Sequence, residues 1–175
     1  MNCNELKNET LECIIKAKVW DEISSDFGLT SEMMDKFADK LNWQNVSKNS
    51  EIHWTVRLLE KWADHLDWEE LSDSSNEYLL TPDIIAYFEN RWNWRKLSQN
   101  RSLKLDFVFI DRFIDRWDWK EVADNWSRSE LYTKEFYNRY KKYIPMADFL
   151  DNSCLLREIV NKTVEDMKKE LTGNC

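Results

Sequence analysis

The chain has 175 residues, a net charge of −8, 42% hydrophobic and 33% charged residues, and only two glycines and two prolines. These values exclude a loop-rich chain and fit a single domain or one continuous repeat array over residues 1–175. No apolar run approaches the ~20 residues that span a bilayer, and a deficit of Lys and Arg argues against a general nucleic-acid binder, which must neutralise phosphates.

Met1-Asn2-Cys3-Asn4-Glu5 lacks the basic-then-apolar pattern of a secretory signal, so the expected location is the cytoplasm. The first predicted element is a helix carrying Leu6, Leu11, Ile14 and Ile15. It joins a truncated first repeat within residues 1–28. From about 29 to 152 the chain repeats itself, and that decides the fold.

Trp20, Trp43, Trp68, Trp94 and Trp119 are separated by 23, 25, 26 and 25 residues. Three positions after each Trp stand Ile23, Val46, Leu71, Leu97 and Val122; next come Ser24, Ser47, Ser72, Ser98 and Ala123. Just before it are Val19, Asn42, Asp67, Asn93 and Asp118, and six before it Ile14, Phe37, Trp62, Phe88 and Phe113.

Each unit reads as two helices. The longer one starts at Thr30, Thr55, Thr81, Asp106 or Thr133, residues whose side-chain oxygen caps first-turn N–H groups. Ile84, Ile85, Phe88 and Trp92 illustrate its single buried stripe. The shorter helix starts at the Asp or Asn before the Trp. In Asp67-Trp68-Glu69-Glu70 and Asp118-Trp119-Lys120-Glu121 the second Glu is placed to reach back to the cap N–H, as in a capping box. So short a helix must dock on its neighbours. A degenerate sixth unit carries Phe136, Tyr137, Tyr140, Ile144, Phe149 and Asn152 in register, with Met146 in the Trp slot.

Residues 153–172 form one amphipathic helix, apolar at Leu155, Leu156, Ile159, Val160, Val164, Met167 and Leu171. Arg157, Glu158, Lys162, Glu165, Lys168 and Lys169 are expected on its open side. The expected fold class is therefore all-α: a short α-solenoid of two-helix repeats with a C-terminal capping helix. Disulfides Cys3–Cys175 or Cys13–Cys154 are compatible with the count. An intracellular chain favours thiols, with Cys13 and Cys154 packed as small hydrophobes.

The stretch Asp39-Lys40-Leu41-Asn42-Trp43-Gln44-Asn45-Val46-Ser47-Lys48-Asn49 resembles a unit of the tryptophan-containing tandem repeats of uncharacterised bacterial, phage and giant-virus proteins. Those share an Asp-Lys-x-Asp/Asn-Trp-x-x-Leu/Ile-Ser-x-Asn core. The likeness covers roughly residues 14–152, with Asp64-His65 and Asn90-Arg91 as variants. It implies a helical-repeat fold and no activity, and it raises the prospect of a host-directed role, in the host cytoplasm for a viral protein.

Catalysis is not expected. There are two histidines, His53 and His65, and Gly28 and Gly173 make no phosphate loop. The carboxylates recur as repeat surface without a unique cluster. No metal or cofactor is implied. The repeat tryptophans Trp20, Trp43, Trp68, Trp94 and Trp119 read as structural core. Trp126 breaks a polar column held elsewhere by Ser50, Ser75, Arg101 and Ser153; with Phe107 and Val108 it either packs on the final helices or anchors a partner.

The column Lys40, His65, Arg91 and Arg116 reads as solvated helix ends favoured by the helix dipole. Residues 1–90 carry −11 and residues 91–175 carry +3. The acidic half, including Glu69, Glu70 and Asp73, either aids solubility or presents a negative strip.

The leading expectation is a non-catalytic module that binds another protein through one face of the stack. The alternative is a small acidic inhibitor of phage or mobile-element type, which blocks a nucleic-acid-handling enzyme by mimicry. RNA binding around Arg91, Arg95, Lys96, Arg101, Arg112, Arg116 and Arg128 ranks last.

Overall fold

The computed structural model describes residues 3–151 and 153–173, with side chains from Thr10 onward. Among them the regular structure is entirely helical, twelve α-helices and one 3-10 turn. The chain divides into two compact units, Met1–Trp92 and Asn93–Cys175. The first holds α1 (Cys3–Asp26), α2 (Ser31–Phe37), α3 (Trp43–Lys48), α4 (Val56–Trp62), α5 (Trp68–Asp73) and α6 (Pro82–Tyr87). The second holds α7 (Trp94–Gln99), α8 (Phe107–Arg112), α9 (Trp119–Asp124), the 3-10 turn Trp126–Arg128, α10 (Lys134–Tyr140), α11 (Met146–Leu150) and α12 (Cys154–Thr172).

Within each unit the Trp-bearing helices pack side by side. α3 lies against α1 and α5 in the first; α9 lies against α7, α11 and α12 in the second. The alternation is that of a helical repeat, as the columns predict.

Caps set the boundaries. Side chains of Thr30, Thr55, Thr81, Asp106 and Thr133 accept from the N–H three residues on. Asn42, Asp67, Asn93 and Asp118 do the same for the second helices. Val19 has no side-chain acceptor with which to begin a new helix, so α1 runs unbroken through Trp20. The first helix of each repeat is shorter than the stripe suggests. α6 ends at Tyr87, leaving Phe88 as its C-cap and Trp92 in the following turn. The chain must leave helical geometry there, because Asn93 needs extended backbone (φ −79°, ψ 97°) to cap α7.

The expected capping-box return from Glu70 and Glu121 is not made. The cap N–H groups are taken by the serine of the preceding repeat: Asn42, Asp67 and Asp118 donate to Ser24, Ser47 and Ser98 Oγ at 3.0, 2.9 and 3.0 Å. Each serine hydroxyl donates in turn to the carbonyl of the Trp four residues earlier, at 2.6–2.7 Å. The freed carboxylates pair with cations, Glu70 with Lys48 at 3.1 Å and Glu121 with Arg95 at 3.1 Å.

A buried asparagine makes the second joint. Asn49 Nδ2 donates to the Ser24 and Phe27 carbonyls, both at 2.9 Å. Asn76 Nδ2 reaches the carbonyls of Asn49, Ser50 and Ile52, and Asn125 those of Ser98, Gln99 and Asn100. The asparagine Oδ1 accepts from its own loop, as at Glu51 N and Tyr78 N, so donor and acceptor are both used.

The repeat indoles pack forward. Trp20 meets Phe37, Trp43 meets Trp62, Trp68 meets Phe88, Trp94 meets Phe113 and Trp119 meets Tyr140, at centroid separations of 4.6–5.2 Å. Only Trp119 is buried, and the other four keep part of the ring at the surface. The fuller core comes from Trp54, Trp92 and Trp117 with the aliphatic columns.

Two further expectations need correction. α12 buries only its first turn, at Cys154 and Leu155, while Val160, Val164, Met167 and Leu171 are exposed. Lys162 is not on its open side but turned inward. Cys13 and Cys154 are free thiols, and Cys13 is exposed instead of packed; a Cys3–Cys175 pair lies outside the described side chains, and Asn152 outside the described residues.

Candidate interaction surface

Among the repeat loops of the second unit, the one that follows α9 differs from the pattern. Fourteen residues separate Trp119 from the cap Thr133, against twelve from Trp94 to Asp106. Three residues after the asparagine of the sequence column the other repeats place a buried aliphatic side chain: Ile52, Leu79, Leu103 and Leu155. This loop places Arg128 there, only 5% exposed.

Arg128 Nη2 donates to the carbonyls of Leu97 and Asn100, at 3.2 and 3.3 Å. Its Nε and Nη1 are buried without a hydrogen-bond partner, and burial pushes the guanidinium down to about 10. A buried cation without a carboxylate is costly. Arg128→Leu restores the column residue, and both carbonyls keep another donor, Asn100 N–H and Asn125 Nδ2. The variant is expected to gain at least about 1 kcal/mol of stability in urea unfolding; a lower midpoint would mean that the two Nη2 hydrogen bonds outweigh the burial of the charge.

Other contacts fix the loop. Tyr132, fully buried, brings its hydroxyl to the carbonyls of Val122 and Asn125. Lys162 Nζ reaches from α12 to the carbonyls of Ser129, Glu130 and Tyr132, at 2.6, 3.3 and 2.9 Å. An ammonium carries three N–H donors, so one side chain occupies three loop carbonyls.

On this fixed loop Trp126 is 57% exposed. The Arg101 guanidinium lies 5.0 Å from its ring centroid, a cation–π contact that holds the indole in place. Val108 is 78% exposed. Phe107 differs: it is half-buried against Phe136 and Tyr140, with Arg139 at 5.3 Å on its ring. The three residues grouped by sequence therefore separate into a half-buried member, Phe107, and two surface members.

Of the acidic candidates, Glu69 and Asp73 are exposed, whereas Glu70 is half-buried and shared between Lys48 and Gln44. The basic column Lys40, His65, Arg91 and Arg116 is exposed, as expected of solvated helix ends, and three of its members also lie against an indole. Lys40 sits over Trp20 at 5.7 Å, His65 against Trp43 at 5.1 Å and Arg91 over Trp68 at 5.9 Å. Each covers the indole of the preceding repeat. Arg91 also pairs with Asp64 at 3.0 Å. Within the supposed RNA patch Arg128 is buried, and Arg95 is neutralised by Glu121 and Asp118.

An open groove of about 1190 Å³ in the first unit is lined by Thr30, Glu32, His53, Arg57, Glu60 and Lys61, among others. Its charges alternate, and His53 is stacked on Tyr78 at 3.8 Å rather than aimed at a nucleophile.

Sequence reasoning singled out Trp126 but missed Arg101, Arg128 and Lys162 as its supports. The broken aliphatic column at Arg128 was the available signal. No family model matches the chain, and neither a curated protein nor a solved structure matches it.

Proposed function

We propose that the chain is a non-catalytic protein-interaction module and that Trp126 is its anchor. The supporting observation is a large aromatic side chain held in water on a loop fixed from beneath by Arg128, Tyr132 and Lys162. A rigid exposed indole loses little conformational freedom on binding, which is the property of an interface hot spot. The reading keeps the chain with the tandem-repeat proteins it resembles, on the strength of the Asx-Trp-x-x-aliphatic-Ser-x-Asn columns.

Affinity capture with wild-type chain and Trp126→Ala tests it. Trp126 buries little in the free chain, so the variant is expected to melt like wild type while losing its captured protein by at least about 30-fold. Capture unchanged by the substitution would end the assignment. Capture lost instead on reversing Glu69, Glu70 and Asp73 to Lys would move the contact to the acidic unit and favour the inhibitor reading.

A further inference from the structure

Trp126 and Arg101 hold the same place in successive repeats, seven residues after Trp119 and Trp94. Stacking those repeats brings the guanidinium over the indole, 5.0 Å from its centroid. In the first unit the same place belongs to Ser50 and Ser75. Two other arginines lie over a ring of a neighbouring repeat. Arg91 covers Trp68 and pairs with Asp64, and Arg139 covers Phe107 and pairs with Asp111. Each makes a closed set of ring, guanidinium and carboxylate. At Trp126 the ring and the guanidinium are both there, and no carboxylate among the described residues pairs with Arg101.

The nearby acids do not complete the set. Asp106 caps α8 by accepting from Phe109 N–H at 2.7 Å, and Asp124 accepts from Cys154 N–H at 3.4 Å. Glu130 is exposed and, among the described residues, forms no ion pair with Arg101 or Arg128. Arg128, two residues after Trp126 and 5% exposed, is a second guanidinium whose only partners are carbonyls. A guanidinium lying on a ring keeps its N–H edge in plane, where it can grip a carboxylate through two bonds.

We infer that Trp126 and Arg101 together receive an acidic segment of the partner protein, with an Asp or Glu carboxylate on the Arg101 guanidinium and an apolar side chain a few residues away on the indole. This rests on Trp126 as the anchor proposed above and adds the chemistry of what it holds. A nucleic-acid strand fits the surface less well, because it needs a basic track along its phosphates. Arg95 is already neutralised by Glu121 and Asp118, and a net charge of −8 repels a polyanion.

Selection of a random phage-displayed peptide library on the full chain, with subtraction on Trp126→Ala, is expected to enrich Asp or Glu within a few residues of an aromatic or leucine. The peptide recovered most often is made in two forms, as selected and with every Asp and Glu changed to Asn and Gln. Both are titrated against wild type and Arg101→Gln, an exposed change expected to leave the melting curve unaltered. Wild type is expected to hold the acidic form at least about 10-fold tighter than the neutral form. Arg101→Gln is expected to hold the two alike within about 3-fold, as a double-mutant cycle requires of a direct pair. Were Arg101 only steadying the indole, Arg101→Gln would weaken both peptides by one common factor, and the inference would fall. Peptides without an acidic excess, a library yielding no Trp126-dependent peptide, or Trp126-dependent binding of an oligouridine RNA tighter than of the peptide would each overturn it as well. The anchor itself is judged by the capture experiment above, so its failure and the failure of this inference are told apart.

Discussion

Replacing Trp119 by alanine is expected to lower the unfolding free energy by about 4 kcal/mol, the largest loss among the five repeat tryptophans. Trp119 is 7% exposed. Its ring lies 5.0 Å from Tyr140 and 5.2 Å from Tyr143, and its Nε1–H donates to the Ile114 carbonyl at 3.0 Å. Truncation leaves a cavity between α9 and the sixth unit and removes the donor from a carbonyl. Trp68 packs on Phe88 and Trp92 but keeps part of its ring in water, so Trp68→Ala is expected to cost less. Urea midpoints measured with an unchanged m-value give the comparison. Equal losses would show that the indole's role is set by the motif and not by its burial.

Asn76→Ala is the second large effect, expected at about 3 kcal/mol. The side chain is 1% exposed. It supplies donors to the carbonyls of Asn49, Ser50 and Ile52 and an acceptor to Tyr78 N and Leu79 N. Alanine fills neither role, and buried groups that lose their partners bear their full desolvation cost. Asn76→Asp has nearly the same shape and keeps the acceptor, but loses the donors and buries a charge, so it is expected to do no better than alanine. A rescue by aspartate would show that shape and the acceptor suffice.

These two sites mark how far the sequence could be read. Caps were legible because their bonds run two or three residues along the chain, as from Asp67 to Glu69 and Glu70. The joints between repeats were not, since they link residues twenty or more apart: Ser47 with Asp67, and Asn125 with Ser98. The serine column was visible as a column, yet nothing local says that its hydroxyl serves the next repeat and not its own. That competition also defeated the capping-box reading of Glu70 and Glu121.

The indole contacts of the basic column were hidden for a related reason, although its exposure was legible. Helix-dipole reasoning treats Lys40 and Arg91 as ends of isolated helices. The preceding repeat places a half-exposed indole under each, and only the stacked arrangement reveals it. Trp126 was legible as an exception, because an aromatic residue in a serine column stands out. Its supports lie far along the chain: Arg101 is 25 residues before it and Lys162 36 after.

The serine and asparagine joints grip main-chain N–H and C=O groups of the adjoining repeat, atoms that every neighbour except proline can offer. At these joints the fastening is indifferent to the side chains of the adjoining repeat. A unit exchanged for another therefore needs no new joint of this kind, and only the aromatic contacts between repeats must still match.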